Sequence, residues 1–150
     1  MRKWLITLLV ACAGALGSET PAQAGLFSST GVVIAILADE LFVGEAEGHL
    51  NGAGTLAIHS QQRPELTCQG QFTSSALLGG KGQMLCSDGA SATFHFQRLS
   101  VLRGYGSGRF SRGGMSFAYG LNAEEAAPYL TLPAGKKLTY IGTELKLANL

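Results

Sequence analysis

Charge is scarce in this chain. Only 14% of its 150 residues are Asp, Glu, Lys or Arg, and the signs almost cancel, at +1. That balance gives no field to draw the chain onto nucleic acid, and no nucleic-acid partner is expected. Motifs that carry chemistry are missing as well. There is no nucleophile elbow, no His-Glu-x-x-His, no phosphate-binding glycine loop ahead of a helix and no repeated Cys-x-x-Cys. His49, His59 and His95 stand at no recognised ligand spacing. Asp39, Glu40, Glu45 and Glu47 could suggest a calcium-type cluster, but they read better as the wet face of a strand. No catalytic residue, metal ligand or cofactor is therefore assigned. Long apolar runs are lacking too. Trp4 to Leu16 is too short for an ordinary spanning helix, and Thr30 to Leu37 is shorter still.

Cysteine is sparse, at three, and the first of them lies in a stretch that reads as an export signal. Arg2-Lys3 form a positive start, Trp4 to Leu16 an apolar run, and Ala22-Gln23-Ala24 a small-x-small cleavage site before Gly25. Pro21 ends any helix just ahead of that site. Residues 1–24 are thus read as a signal peptide and 25–150 as one exported domain, periplasmic or secreted, with no transmembrane segment in the mature chain. Leu9-Val10-Ala11-Cys12 supplies a competing reading, a lipobox whose lipidated Cys12 would make an outer-membrane lipoprotein. Loss of the first 24 residues leaves nine basic and nine acidic side chains. Cys68 and Cys86 remain, and in an oxidising compartment a disulfide between them is the default. Closing that loop stabilises by about 3 kcal/mol in the chain-entropy account.

What the chain has in excess is glycine, 21 residues, spread through alternating segments in a manner that suggests turns, bulges and close strand approach. The clearest segment is Cys68-Gln-Gly-Gln-Phe72 followed by Gly80-Lys-Gly82-Gln-Met84-Leu-Cys86. If the two pair antiparallel with Cys68 opposite Cys86, Gly70 meets Met84 and Phe72 lies over Gly82. One register then satisfies both the disulfide and an aromatic-over-glycine pairing. With Asp88-Gly89 after it, this stretch resembles a MORN repeat over residues 68–89. Degenerate copies occupy 42–58 and 92–119. Cys68 and Cys86 stand where that family usually has tyrosines, and the spacing from Phe72 to Gly80 is about a residue longer. The resemblance implies β-hairpin units and an interaction surface for protein or lipid, with no particular ligand.

Taken in order, Thr30–Leu37 is a β-branched run suited to a strand buried on both faces. Phe42-x-Gly44-x-Ala46 and Gly52-x-Gly54-x-Leu56 form a first hairpin, with two registers open at Asn51-Gly52. After Asp88-Gly89, a bulged turn is expected to set Met84 against Phe94 and Gly82 against Phe96. Gly113-Gly114 is expected to be a two-residue turn that puts Phe110 against Phe117 and Gly108 against Tyr119. A shift of 24 residues carries Gly80-x-Gly82 onto Gly104-x-Gly106 and Phe72 onto Phe96. Asn122-Ala-Glu-Glu125 reads as a capping box opening a short helix near 123–127 that Pro128 ends. Tyr129–Leu132 and Leu138–Leu147 read as further strands covering the last sheet edge. The fold class is all-β: an antiparallel meander of about eight or nine strands, either an open sheet or a small barrel.

Five acids fall within 39–65 and five bases within 81–112. Arg98, Arg103, Arg109 and Arg112, with Tyr105, are the candidate surface for an anionic envelope component or an acidic protein. The function expected is an exported, non-catalytic binding or scaffold module of the bacterial envelope. Two alternatives stand beside it: a lipid-anchored assembly factor through Cys12, and a small envelope enzyme acting on polysaccharide or peptide. The enzyme would need a pocket gathering Asp88, His95 and an acid from 39–47. Neither ligand nor oligomeric state follows from the residues.

Overall fold

The structure, a computed structural model, describes residues 28–75 and 77–150. The readings made on the leader, Cys12, Ala22, Ala24 and Gly25 among them, lie outside the described residues. Eight strands follow one another up and down: β1 (Ser28–Leu37), β2 (Glu40–His49), β3 (Ala53–Ser60), β4 (Thr67–Ser75), β5 (Gly79–Cys86), β6 (Ser91–Ser100), β7 (Arg103–Phe110) and β8 (Gly113–Tyr119). The meander closes into a barrel, because β1 pairs antiparallel with β8 from Val33↔Tyr119 to Leu37↔Met115. Closure leaves no free edge, which resolves the choice between open sheet and barrel. A short helix α1 (Ala123–Ala126), a 3₁₀ turn (Ala127–Tyr129) and a hairpin of β9 (Lys136–Ile141) and β10 (Glu144–Asn149) complete the chain.

Alternation of side chains sorts the strands into an apolar inside and a polar outside. Val33, Ala35, Ile58, Met84, Phe94, Phe96 and Phe117 belong to the inner cluster, while Gln69, Gln71, Gln83, Thr93, His95 and Gln97 on the same sheet are exposed. A membrane-spanning barrel would show the opposite distribution. The exception is the outer face of β1 and β2. There Ile34, Ile36 and Leu41 are buried with Leu121, Ala126, Leu130 and Leu145 in a second cluster. The tail is therefore a patch on the outer wall and not an edge cover, as the closed barrel has no edge to protect. This is why residues 33–37 are buried on both faces, one looking into the barrel and the other lying beneath the tail. Thr30 and Val32, nearer the opposite end of the strand, are exposed, against the expectation for residues 30–37 as a whole.

The central hairpin has the expected register, with Cys68↔Cys86, Gly70↔Met84 and Phe72↔Gly82. The first hairpin resolves to Gly44↔Ile58 and Ala46↔Leu56 around a turn at Leu50–Gly52. Two expected registers are corrected. Met84 faces Ala92, and Gly82 faces Phe94, because the turn is centred on Asp88 and not on Gly89. Gly89 N donates to Cys86 O at 3.0 Å, and Cys86 N to Ala90 O at 2.8 Å. In that turn the Asp88 carboxylate accepts from Ala90 N at 2.9 Å, and Gly89 adopts φ 89. The next turn lies at Ser111-Arg112, so Phe110 faces Gly113, Gly106 faces Phe117 and Gly104 faces Tyr119. The expected register would have set one phenylalanine against another inside the barrel; the observed one lays the Phe117 ring over Gly106. The capping box is present, with Glu125 N donating to Asn122 Oδ1 at 2.9 Å and Asn122 N donating to Glu125 Oε2 at 3.1 Å. Tyr129–Leu132 is no strand: Pro128 and Tyr129 lie in the 3₁₀ turn, and residues 130–135 run without strand pairing into β9.

Candidate functional site

The two ends of the barrel differ. At one end, called here the floor, lie the turns 38–39, 61–66, 87–90 and 111–112. Leu37, Phe42, Leu66, Cys68, Cys86 and Ala90 are buried there. The Cys68–Cys86 disulfide is formed, with an S–S distance of 2.00 Å, and both cysteines point inward. Ser60, fully buried, donates its hydroxyl to Glu40 Oε1 and accepts from Arg63 N at 2.9 Å and Gln62 N at 3.2 Å. Arg63 closes this knot with a hydrogen bond from Nη2 to Glu40 Oε2 at 2.6 Å. That guanidinium, aided by Ser60, holds the Glu40 carboxyl below its ordinary pKa against the cost of burial. Asp88 pairs with Arg112 at 2.5 Å, and its carboxyl too is lowered, chiefly by the Ala90 amide.

At the opposite end, the mouth, the barrel is open. A cavity of about 600 Å³ runs inward from it, within the range of small-molecule sites. Its walls come from two halves of the sheet. The wall of β1 to β3 contributes Val33, Ala35, Ala46, Leu56 and Ile58; the wall of β4 to β8 contributes Phe72, Met84, Phe94, Phe96, Phe117 and Tyr119. Those rings interlock edge to face: Phe72 with Phe96 at 5.6 Å, Phe96 with Tyr119 at 5.7 Å and Phe94 with Phe117 at 5.3 Å. They lie close to the wall because the neighbouring strands offer glycine beneath them. A Cβ on Gly106 would stand 2.5 Å from the Phe117 ring, and one on Gly54 would stand 2.1 Å from Phe72. Glycine thus sets how far the aromatics recede, and so how much room the cavity has.

The polar residues of this lining, Ser28, Ser29, Thr30, His49, Asn51, Ser74, Arg98 and Tyr119, lie toward the mouth. Arg98 continues the inward series Ala92, Phe94, Phe96 at the top of β6. Its guanidinium donates to Ser75 O at 3.0 Å, Val101 O at 2.6 Å and Ser74 Oγ at 2.8 Å, tying two mouth hairpins together. No carboxylate pairs with it among the described residues. The Tyr119 hydroxyl is buried without a hydrogen-bond partner among the described residues. Burial raises its pKa, and the Arg98 charge partly opposes the rise. That hydroxyl is packed against Gly104 in the wall, out of reach of the cavity. The Arg98 guanidinium, without a counter-ion at the top of an apolar cavity, is therefore the group that offers a place for an acceptor, an anionic one above all.

The basic residues singled out in the sequence are distributed over the barrel. Arg98 lines the cavity and Arg103 lies near it, paired with Glu125 at 2.6 Å. Tyr105, on the outer wall, stacks on Tyr129 at 4.4 Å and donates to Gln97 Oε1 at 3.1 Å. Arg109 and Arg112 lie toward the floor, at the far end of β7 and in the turn beyond it. The enzyme constellation is not gathered in the cavity. Asp88 is in a floor turn, His95 is exposed on the outer face of β6, and Glu45 and Glu47 lie on β2 beside an outer depression with Gln71 and Gln83. The residues 28–75 and 77–150 hold no group of three or more His, Cys, Asp or Glu placed to bind a metal. Sequence reasoning missed Tyr119 and the cavity itself. The signal for Arg98 was present in the alternation that put it behind Phe94 and Phe96. Comparison of the chain with protein families, with characterised proteins and with solved structures finds no match.

Proposed function

We propose that this chain is an exported, non-catalytic binding protein whose barrel holds an amphiphile with an apolar tail and an anionic head. The observation that carries this reading is the apolar cavity with Arg98 at its polar end. The tail would lie between the aliphatic wall of β1 to β3 and the aromatic wall opposite. The head would take the two guanidinium N–H groups that Arg98 has left after three of its five donors are used. The MORN likeness of the hairpins agrees with this, since a binding surface is what that likeness implies. Export to the envelope, by cleavage after Ala24 or by lipidation of Cys12, belongs to the same reading, and the disulfide supports an oxidising destination.

The test is a binding titration with a fluorescent long-chain fatty acid and, separately, with its uncharged alcohol analogue. Arg98→Gln should weaken the carboxylate about tenfold or more, the worth of one charge-assisted contact, and leave the alcohol nearly unchanged. Equal loss for both ligands would defeat the assignment of the head group. No binding of either ligand by the parent protein would defeat the reading as a whole.

A further inference from the structure

The four floor turns carry Asp39, Arg63, Glu65, Asp88 and Arg112. The mouth turns are of another kind. Leu50-Asn51-Gly52 joins β2 to β3, Leu77-Leu78 precedes β5, and Val101-Leu102 joins β6 to β7, with no charged residue among them. These apolar side chains stand in water: Leu77 is 88% exposed, Leu50 and Leu78 83%, and Val101 75%. They come from three separate hairpins, which the up-and-down order of the strands puts at one end and closure gathers around one rim. A cluster of large exposed apolar side chains on such a polar barrel marks a surface that is covered in use.

We infer that the mouth of the barrel docks on a lipid surface, with the leucine tips of three hairpins inserted among the acyl chains. Three features select lipid as the occupant. Leu50, Val101 and Leu102 also line the cavity, so the apolar rim runs without a break into the apolar interior. The tips project singly from separate turns, with Ser75, Asn51 and Ser100 beside them, a form suited to entering a fluid apolar layer with a polar collar left at the headgroups. Arg98, which has no carboxylate partner among the described residues, stands behind the tips, at the height where phosphate would lie, while Arg103 beside it is paired with Glu125. The chain also enters the barrel at this rim, at Ser28, so a membrane-held segment before it would keep the mouth toward the bilayer. The inference rests on the ligand reading for its purpose, passage of an amphiphile between bilayer and cavity without crossing water. Its contact surface is separate from the ligand site.

The experiment is flotation of the exported protein with phosphatidylcholine vesicles, with and without phosphatidylglycerol, beside fatty-acid probe uptake in vesicle-free solution. Leu77 and Leu78 do not line the cavity. Leu77→Ser with Leu78→Ser should therefore cut vesicle binding about tenfold or more while probe uptake stays at the parent level, which also shows that the variant folds. A parent that does not float, or a double variant that floats equally well, overturns the inference. So does a mouth-to-mouth dimer, seen by sedimentation and dispersed by the double variant, in a protein that ignores vesicles. Flotation that depends on the leucines, without probe uptake, upholds the docking and removes the ligand reading instead.

Discussion

Ala38 and Asp39 form the whole turn between β1 and β2, and both lie in the left-handed region, at φ 46 and 66. An ordinary side chain there costs about 1–2 kcal/mol, less for Asp or Asn, whose short polar groups bond locally. Ala38 is thus the unsuited member of the pair. Ala38→Asn should raise the unfolding free energy by about 0.5–1 kcal/mol, measured as a higher urea midpoint at unchanged slope. The end of the strand at Leu37 was legible from the end of its apolar run. Nothing in Ala38-Asp39 announces a tight turn, as Asn-Gly would, so the two-residue form of the turn was not legible. Arg98 is the contrary case. The period of two from Ala92 through Phe96 already aimed it inward, and its surroundings alone were hidden, since Ser74, Ser75 and Val101 reach it from other hairpins.

Hairpins were legible where a local rule fixed their register. Cys68 and Cys86 could meet in one way, and Phe72 over Gly82 agreed. Where the rule was a turn dipeptide it failed twice. One turn was centred on Asp88, whose carboxylate bonds Ala90, and not on Gly89, and Gly113-Gly114 lay inside β8 beyond the real turn. The floor and the helix α1 show a second property of these elements, their dependence on ionised carboxylates. Glu40 and Asp88 at the floor and Glu125 in α1 are all lowered in the folded chain, by Arg63, by the Ala90 amide and by the Asn122 amide respectively. A depressed carboxyl contributes stability that is complete above its unfolded value and is lost as pH falls through the folded one. The urea midpoint should therefore hold steady from neutral pH down to about 5 and decline below about 4.5. Glu40→Gln should flatten part of that decline, because it removes the carboxylate that ties the start of β2 to Arg63 in the loop after β3.

At the scale of the whole molecule, closure was open to either outcome in the sequence because the pairing of β1 with β8 joins residues far apart in the chain. Neither strand names the other; only the tail lying over Ile34 and Ile36, together with an apolar inner face, makes the ring complete. Closure also orders events in time. The hairpin that holds Cys68 and Cys86 is local, spanning a separation of 18 residues, whereas the ring needs β8. Once the ring is complete, both sulfurs lie inside it and no oxidant or reductant reaches them. The bond is therefore expected to form before the ring closes. Afterwards, its reduction by dithiothreitol should proceed no faster than the barrel unfolds and should level off with thiol concentration; a rate that kept rising in proportion would show a local opening at the floor. Oxidation of this chain thus has a deadline, and a chain that closes reduced should stay reduced until it unfolds.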